Sequence, residues 1–274
     1  MSTATTTSTV VTVADIDVSY HKASNPVGDA DTPVVLIHGL AEDKSSWLAT
    51  QEALDDVTTY AYDLRGHGQS TVGEADGTLA QLANDLVGFL EAVTGPAVLV
   101  GFSLGGTIAL QVAADRPDLV RRLVVLGTSS VVGRSAVDFY AQRIEQAQDT
   151  STAEFASAIR DDTAAALVTT DRLDEITAAR LRAIGEGGGY RNAARAMAAL
   201  NGAPLTDTLA DIGMHVDVIG ADNDAFCPMK AAQILLDGLP DATYREIPRA
   251  GHLMNVDNPE AVASALRSTV TGRK

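Results

Sequence analysis

Gly101-Phe-Ser-Leu-Gly105 is the stretch on which the reading of this chain turns. It follows an apolar run at 97–100 (Ala-Val-Leu-Val). It opens a segment with Ile108, Leu110, Val112 and Ala113, which has the pattern of a helix. A G-x-S-x-G between strand and helix puts its serine on a sharp turn. A side chain at either glycine would collide with neighbouring backbone. The turn lifts the serine Oγ above the end of the sheet. It also sets a helix N-terminus beneath any negative charge that develops there. Ser103 is therefore a candidate nucleophile.

Similar short apolar runs recur on both sides of this motif. They lie at 33–37, 58–62, 122–126, 216–220 and 243–247. Continuous runs of this kind suit strands buried on both faces of a parallel sheet. Helical patterns lie between them, at about 45–55, 79–94, 103–115, 229–238 and 259–271. Residues 9–13 and 16–20 alternate with period two and predict an antiparallel hairpin. The fold class is thus α/β: a doubly wound, mostly parallel sheet with helices on both faces. The alternation stops over 131–208, an Ala-rich, charged stretch of helical spacing broken at Gly185-Glu-Gly-Gly-Gly189. This is expected to be a helical cap inserted into a core domain made of 9–130 and 209–274. Residues 1–8 read as a flexible tail.

A serine hydroxyl needs a base. The chain has five histidines, at 21, 38, 67, 215 and 252. His21 ends the hairpin, His215 begins an interior strand, and His38 and His67 sit in glycine-flanked loops. His252 lies in a loop between the last strand and the last helix. That is the carboxyl end of the sheet, where sites of open α/β sheets form. The base in turn needs a carboxylate to fix its tautomer. Asp222 and Asp224 both follow the run at 216–220. Asp224 is preferred because Pro228 would start the next helix and leave Asp224 in the loop above the strand. Asp222 stays open. Two backbone donors for an oxyanion are expected from Leu104, the residue after the serine, and from Leu40 in the His38-Gly39-Leu40 loop. His38 is expected to brace that loop.

The chain has 274 residues and a net charge of −16, with 36 acidic and 20 basic residues. Nucleic acid and anionic membrane would be repelled. Adaptation to high salt and a plain compositional bias both produce such acidity. No stretch approaches the apolar length of a membrane span. The N-terminal residues lack the basic start and apolar run of a signal peptide, so a cytoplasmic protein is expected. The one cysteine, Cys227, allows no internal disulfide. It reads as a small core filler, and Trp47 as packing.

These residues together resemble the α/β-hydrolase superfamily, over nearly the full chain. The resemblance rests on His38-Gly39 with Trp47 downstream, Asp63-Leu-Arg-Gly-His-Gly-Gln-Ser70, Gly101-Phe-Ser-Leu-Gly-Gly106, Gly220 with Asp224 and Pro228, and Gly251-His252. It implies a Ser103-Asp224-His252 triad, a lid after the sixth strand, no cofactor, and a structural role for residues 63–70. One departure concerns the acid. Relatives carry it three residues past the glycine, whereas Asp224 stands four past Gly220. Ser103 excludes the subgroups with an aspartate nucleophile. Leu253 stands where carbon–carbon bond hydrolases often carry Trp. The implied reaction is cleavage of a small-molecule carboxylic ester or lactone, similar to esterases and enol-lactonases. Carbon–carbon hydrolysis, acyl transfer, perhydrolysis and cyanohydrin lysis would use the same triad. A non-catalytic binder on this fold would need no triad at all.

Overall fold

The computed structural model describes residues 5–24 and 32–270. In chain order the elements are β1 (Thr5–Val13), β2 (Ile16–Ser24), β3 (Val34–Ile37), α1 (Leu48–Ala53), β4 (Thr59–Tyr62), α2 (Leu79–Phe89), β5 (Ala97–Phe102), α3 (Leu104–Asp115) and β6 (Val120–Leu126). Then come α4 (Arg134–Gln146), α5 (Ala153–Ala165), α6 (Leu173–Ile184) and α7 (Gly188–Ala199). The chain closes with β7 (Val216–Ala221), α8 (Met229–Gly238), β8 (Ala242–Ile247), α9 (Met254–Asp257) and α10 (Pro259–Val270).

The strands form one eight-stranded sheet in the order β1-β2-β4-β3-β5-β6-β7-β8. β1 and β2 pair antiparallel, as do β2 and β4. The other pairings are parallel. The central strands are apolar throughout because both faces are covered: every residue of β3 and β5 is buried. On one face Leu82 and Leu86 of α2, Ile108 and Val112 of α3 and Leu235 of α8 pack on the sheet. On the other, Trp47, Leu54 beside α1, and Val262 and Leu266 of α10 do so. Each such side chain contributes about 1.5–3 kcal/mol of burial. The edge strand β8 alternates instead and exposes Arg245 and Glu246, which discourages edge pairing with another chain.

The hairpin is longer than its sequence pattern. Thr5–Ser8, read as tail, pair with residues 21–24. The rest of that expected tail, residues 1–4, lies outside the described residues. Ser and Thr carry no apolar alternation, yet their backbone groups pair as well as any.

The positions of β3 and β5 create the site. They are neighbours, but the chain leaves β3 toward β4 and leaves β5 toward β6. The two following loops therefore part and open a crevice at the carboxyl ends. Helices α4–α7 come between β6 and β7 and wall that crevice. Among the described residues, no helix is long and apolar enough to cross a membrane.

Candidate active site

Ser103 sits between β5 and α3 with φ 52° and ψ −118°. A non-glycine residue there costs on the order of 1–3 kcal/mol, so the surroundings must enforce it. Ser103 N donates to Leu126 O at 2.8 Å. A Cβ on Gly101 would lie 2.4 Å from Gly105 O, and one on Gly105 would lie 2.3 Å from Ile37 O. The glycines thus let the turn close onto β3. Leu104 opens α3, where first-turn N–H groups have no intrahelical acceptor.

Ser103 Oγ lies 3.0 Å from His252 Nε2. The other ring nitrogen, Nδ1, lies 3.0 and 2.9 Å from Asp224 Oδ1 and Oδ2. Asp224 Oδ1 also accepts from Phe226 N at 2.9 Å and Cys227 N at 2.8 Å. Burial pushes the Asp224 carboxyl up. The His252 ring and the two amides outweigh that and hold it below the usual carboxylate range. Asp222 faces elsewhere: it accepts from Arg249 N at 2.8 Å and Ala250 N at 3.0 Å, bracing the loop that carries His252. Phe102 and Phe226 lie 4.9 and 5.2 Å from the His252 ring, centroid to centroid.

The loop after β3 is built by buried polar groups. His38 Nε2 accepts from Leu64 N at 2.9 Å, and Nδ1 faces Gly39 O at 2.8 Å. The ring is therefore neutral, and burial lowers its pKa to about 4. Glu42 Oε2 accepts from Gly39 N at 3.1 Å, while burial raises the Glu42 carboxyl. His67 Nε2 meets Leu40 O at 2.7 Å. Leu40 N has no hydrogen-bond acceptor among the described residues, and Leu40 lines the same cavity as Ser103. Residues 63–70 scaffold this region. Lys44 Nζ pairs with buried Asp63 at 2.6 Å, and Arg65 pairs with Asp85 at 2.7 Å and Asp15 at 2.8 Å.

Ser103 and His252 open onto a cavity of about 360 Å³. Its far wall is helical insertion: Phe139 and Tyr140 of α4, Asp162 of α5, Arg180 of α6 and Tyr190 of α7. Asp257 ties this wall to the histidine loop, because its carboxylate accepts from Val168 N at 3.0 Å and Gly251 N at 2.8 Å. Cys227 lines the cavity too, but burial and Asp224 raise its thiol far out of the reactive range.

The sequence profile of the α/β hydrolase fold matches residues 32–259. The chain belongs to the α/β-hydrolase fold family. It is an enzyme of the hydrolase class. It is 30% identical to the dihydrolipoyllysine-residue acetyltransferase component of the acetoin cleaving system of Cupriavidus necator, over 94% of this chain and 68% of that one. Among solved structures it is similar to the enol-lactonase of Burkholderia xenovorans LB400, with a TM-score of 0.85 and 22% identity over 96% of this chain and all of that one. It is also similar to a thermophilic esterase of Thermogutta terrifontis, with a TM-score of 0.82 and 24% identity over 97% and 98% of the two chains.

Sequence reasoning named the elbow, the histidine and the acid loop of this hydrolase. It missed Glu42, Phe226 and Arg180. Glu42 had little signal, because Asp43, Lys44, Ser45 and Ser46 follow it and make it read as one more polar loop residue. Arg180 had none, because a helix of Ala, Arg and Leu reads the same whether its arginine meets solvent or a cavity.

Proposed function

We propose that Ser103, His252 and Asp224 form a catalytic triad that cleaves a carboxylic ester or lactone of a small molecule through an acyl-enzyme. The observation that carries this reading is the unbroken relay from Asp224 through His252 to Ser103, at 2.9 and 3.0 Å, on a strained turn that faces a cavity. His252 takes the Ser103 proton as Oγ bonds to the carbonyl carbon. Asp224 stabilises the imidazolium. The Leu40 and Leu104 amides donate to the oxyanion, each worth about 3–4 kcal/mol in such a role. The carbon–oxygen bond to the leaving group then breaks, and His252 returns the proton to that oxygen. Water repeats the cycle: its oxygen bonds to the acyl carbon, one proton passes through His252 to Ser103, and the acid leaves. Residues 131–208 act as a cap that excludes solvent and selects substrate. Ser103→Ala is expected to abolish hydrolysis of a p-nitrophenyl ester while circular dichroism stays that of the parent. Activity within tenfold of the parent would refute the assignment.

Acyl transfer to a nucleophile other than water is the second reading, favoured by the acetyltransferase name of the Cupriavidus relative. Product partition between water and added alcohols or thiols separates the two. Hydrolysis alone at high nucleophile concentration excludes transfer.

A further inference from the structure

Two cavities meet at Arg180. The first holds Ser103 and His252. The second, of about 310 Å³, lies between α6 and the start of α1, walled by Ser46, Ile176 and Asn255 among others. The cavities share Ala41, Glu42 and Arg180. Arg180 makes no ion pair among the described residues. Its Nη1 donates to Thr163 Oγ1 at 2.7 Å, and its Nε is buried without a hydrogen-bond partner. The nearby acids are committed elsewhere. Arg143 grips Asp162 through both carboxylate oxygens at 2.7 and 2.8 Å, and Glu42 holds Gly39 N. Two more buried polar atoms of the second cavity also lack partners, Ser46 Oγ and Asn255 Oδ1.

A covered guanidinium in no direct ion pair is costly, because the nearby charges of Glu42 and Asp162 return only part of its lost hydration. With Nη1 engaged and Nε covered, Nη2 remains as the charged donor open to a carboxylate, and a small turn of the side chain would bring Nε alongside it as the parallel pair. In a chain of net charge −16, a cation facing the cavity with no ion-pair partner is a selective feature, and it attracts anions that the rest of the surface repels. Glu42 stands between the two ends of this arrangement: Arg180 and His252 both act electrostatically on it.

We propose that Arg180 holds a carboxylate borne by the substrate, so that the scissile carbonyl sits at Ser103 and the anionic end sits where the two cavities join. This rests on the hydrolase reading above and specifies its substrate class. The carboxylate lies on the acyl part or on the leaving group, and the ester series separates these.

The test compares kcat/KM for monoethyl glutarate, adipate and pimelate with that for ethyl valerate, hexanoate and heptanoate. Acetylated hydroxy acids against ethyl acetate form the leaving-group arm. In the parent at least one anionic ester is expected to exceed its neutral partner tenfold or more. Arg180→Met is expected to cut that ratio at least tenfold, and Arg180→Lys to recover part of it. A parent ratio of one or below in every pair, or a ratio unmoved by Arg180→Met, overturns the proposal. Calorimetric titration of the Ser103→Ala protein with the same esters keeps the two readings apart. If no ester is turned over but the half-esters alone bind, and bind through Arg180, the anion site stands and the reaction reading falls. Equal binding of half-esters and neutral esters overturns the anion site.

Discussion

Asp222 and Asp224 are two residues apart after β7 and have separate tasks. Asp224 turns inward to His252, whereas Asp222 caps the amides of Arg249 and Ala250. Arg249 has φ 53°, a conformation that the Asp222 carboxylate helps hold. Asp224→Asn is therefore expected to lower kcat by about 10³–10⁴-fold, as loss of the acid's tautomer control does in such relays. Asp222→Asn is expected to cost less than about tenfold in kcat and to lower stability by about 1 kcal/mol. Steady-state kinetics and urea unfolding on both variants decide it. The reverse ranking in kcat would move the acid to Asp222. The sequence left this choice open because spacing counts residues along the chain, and the direction of a loop side chain is set by which amides lie near it. The elbow was legible for the opposite reason. Its two glycines answer to backbone only 2.3–2.4 Å away from any added Cβ, and that demand is local.

Helices α4–α7 show what pattern can and cannot reveal. Their helical nature followed from composition, and the break at residues 185–189 covers the turn between α6 and α7, at 185–187, and the first two residues of α7. Gly189 also lets α7 rest on the 63–70 loop, since a Cβ there would meet Arg65 O at 2.4 Å. The face that α4, α5 and α6 turn to the cavity was not legible, because their charged residues are spread around the helix, whereas in α7 Arg191 and Arg195 mark a single outer face. The tie from Asp257 to residues 168 and 251 was likewise hidden, since it joins segments 89 residues apart. Asp257→Ala is expected to free these amides at about 1–3 kcal/mol. Hydrogen exchange should then speed up over residues 166–170 while the β5 and β6 amides keep their protection. Unchanged exchange at 166–170 would show that the wall is held by packing alone.

At the scale of the molecule, burial of polar groups sets how stability follows pH. His38 is neutral in the fold, with its pKa lowered to about 4 from 6.5 by burial. An unfolded chain takes up that proton near pH 6.5 and the native protein does not. The contribution is full above about pH 6.5 and is lost as pH falls toward 4, at most about 3 kcal/mol. His67, lowered by burial as well, acts in the same direction. Glu42, raised by burial, opposes them. The urea midpoint is expected to fall between pH 7 and pH 4.5, and His38→Gln, which keeps an acceptor for Leu64 N, should flatten that fall. Equal slopes in the parent and the variant would exclude His38 as the cause.

Catalysis by this triad requires an activated Ser103 hydroxyl. Treatment with a fluorophosphonate followed by peptide mass mapping reads that directly. One adduct is expected, on Ser103, lost in Ser103→Ala and formed at least a hundredfold more slowly in His252→Ala. No adduct on the folded parent, or an adduct on another residue, would contradict the triad.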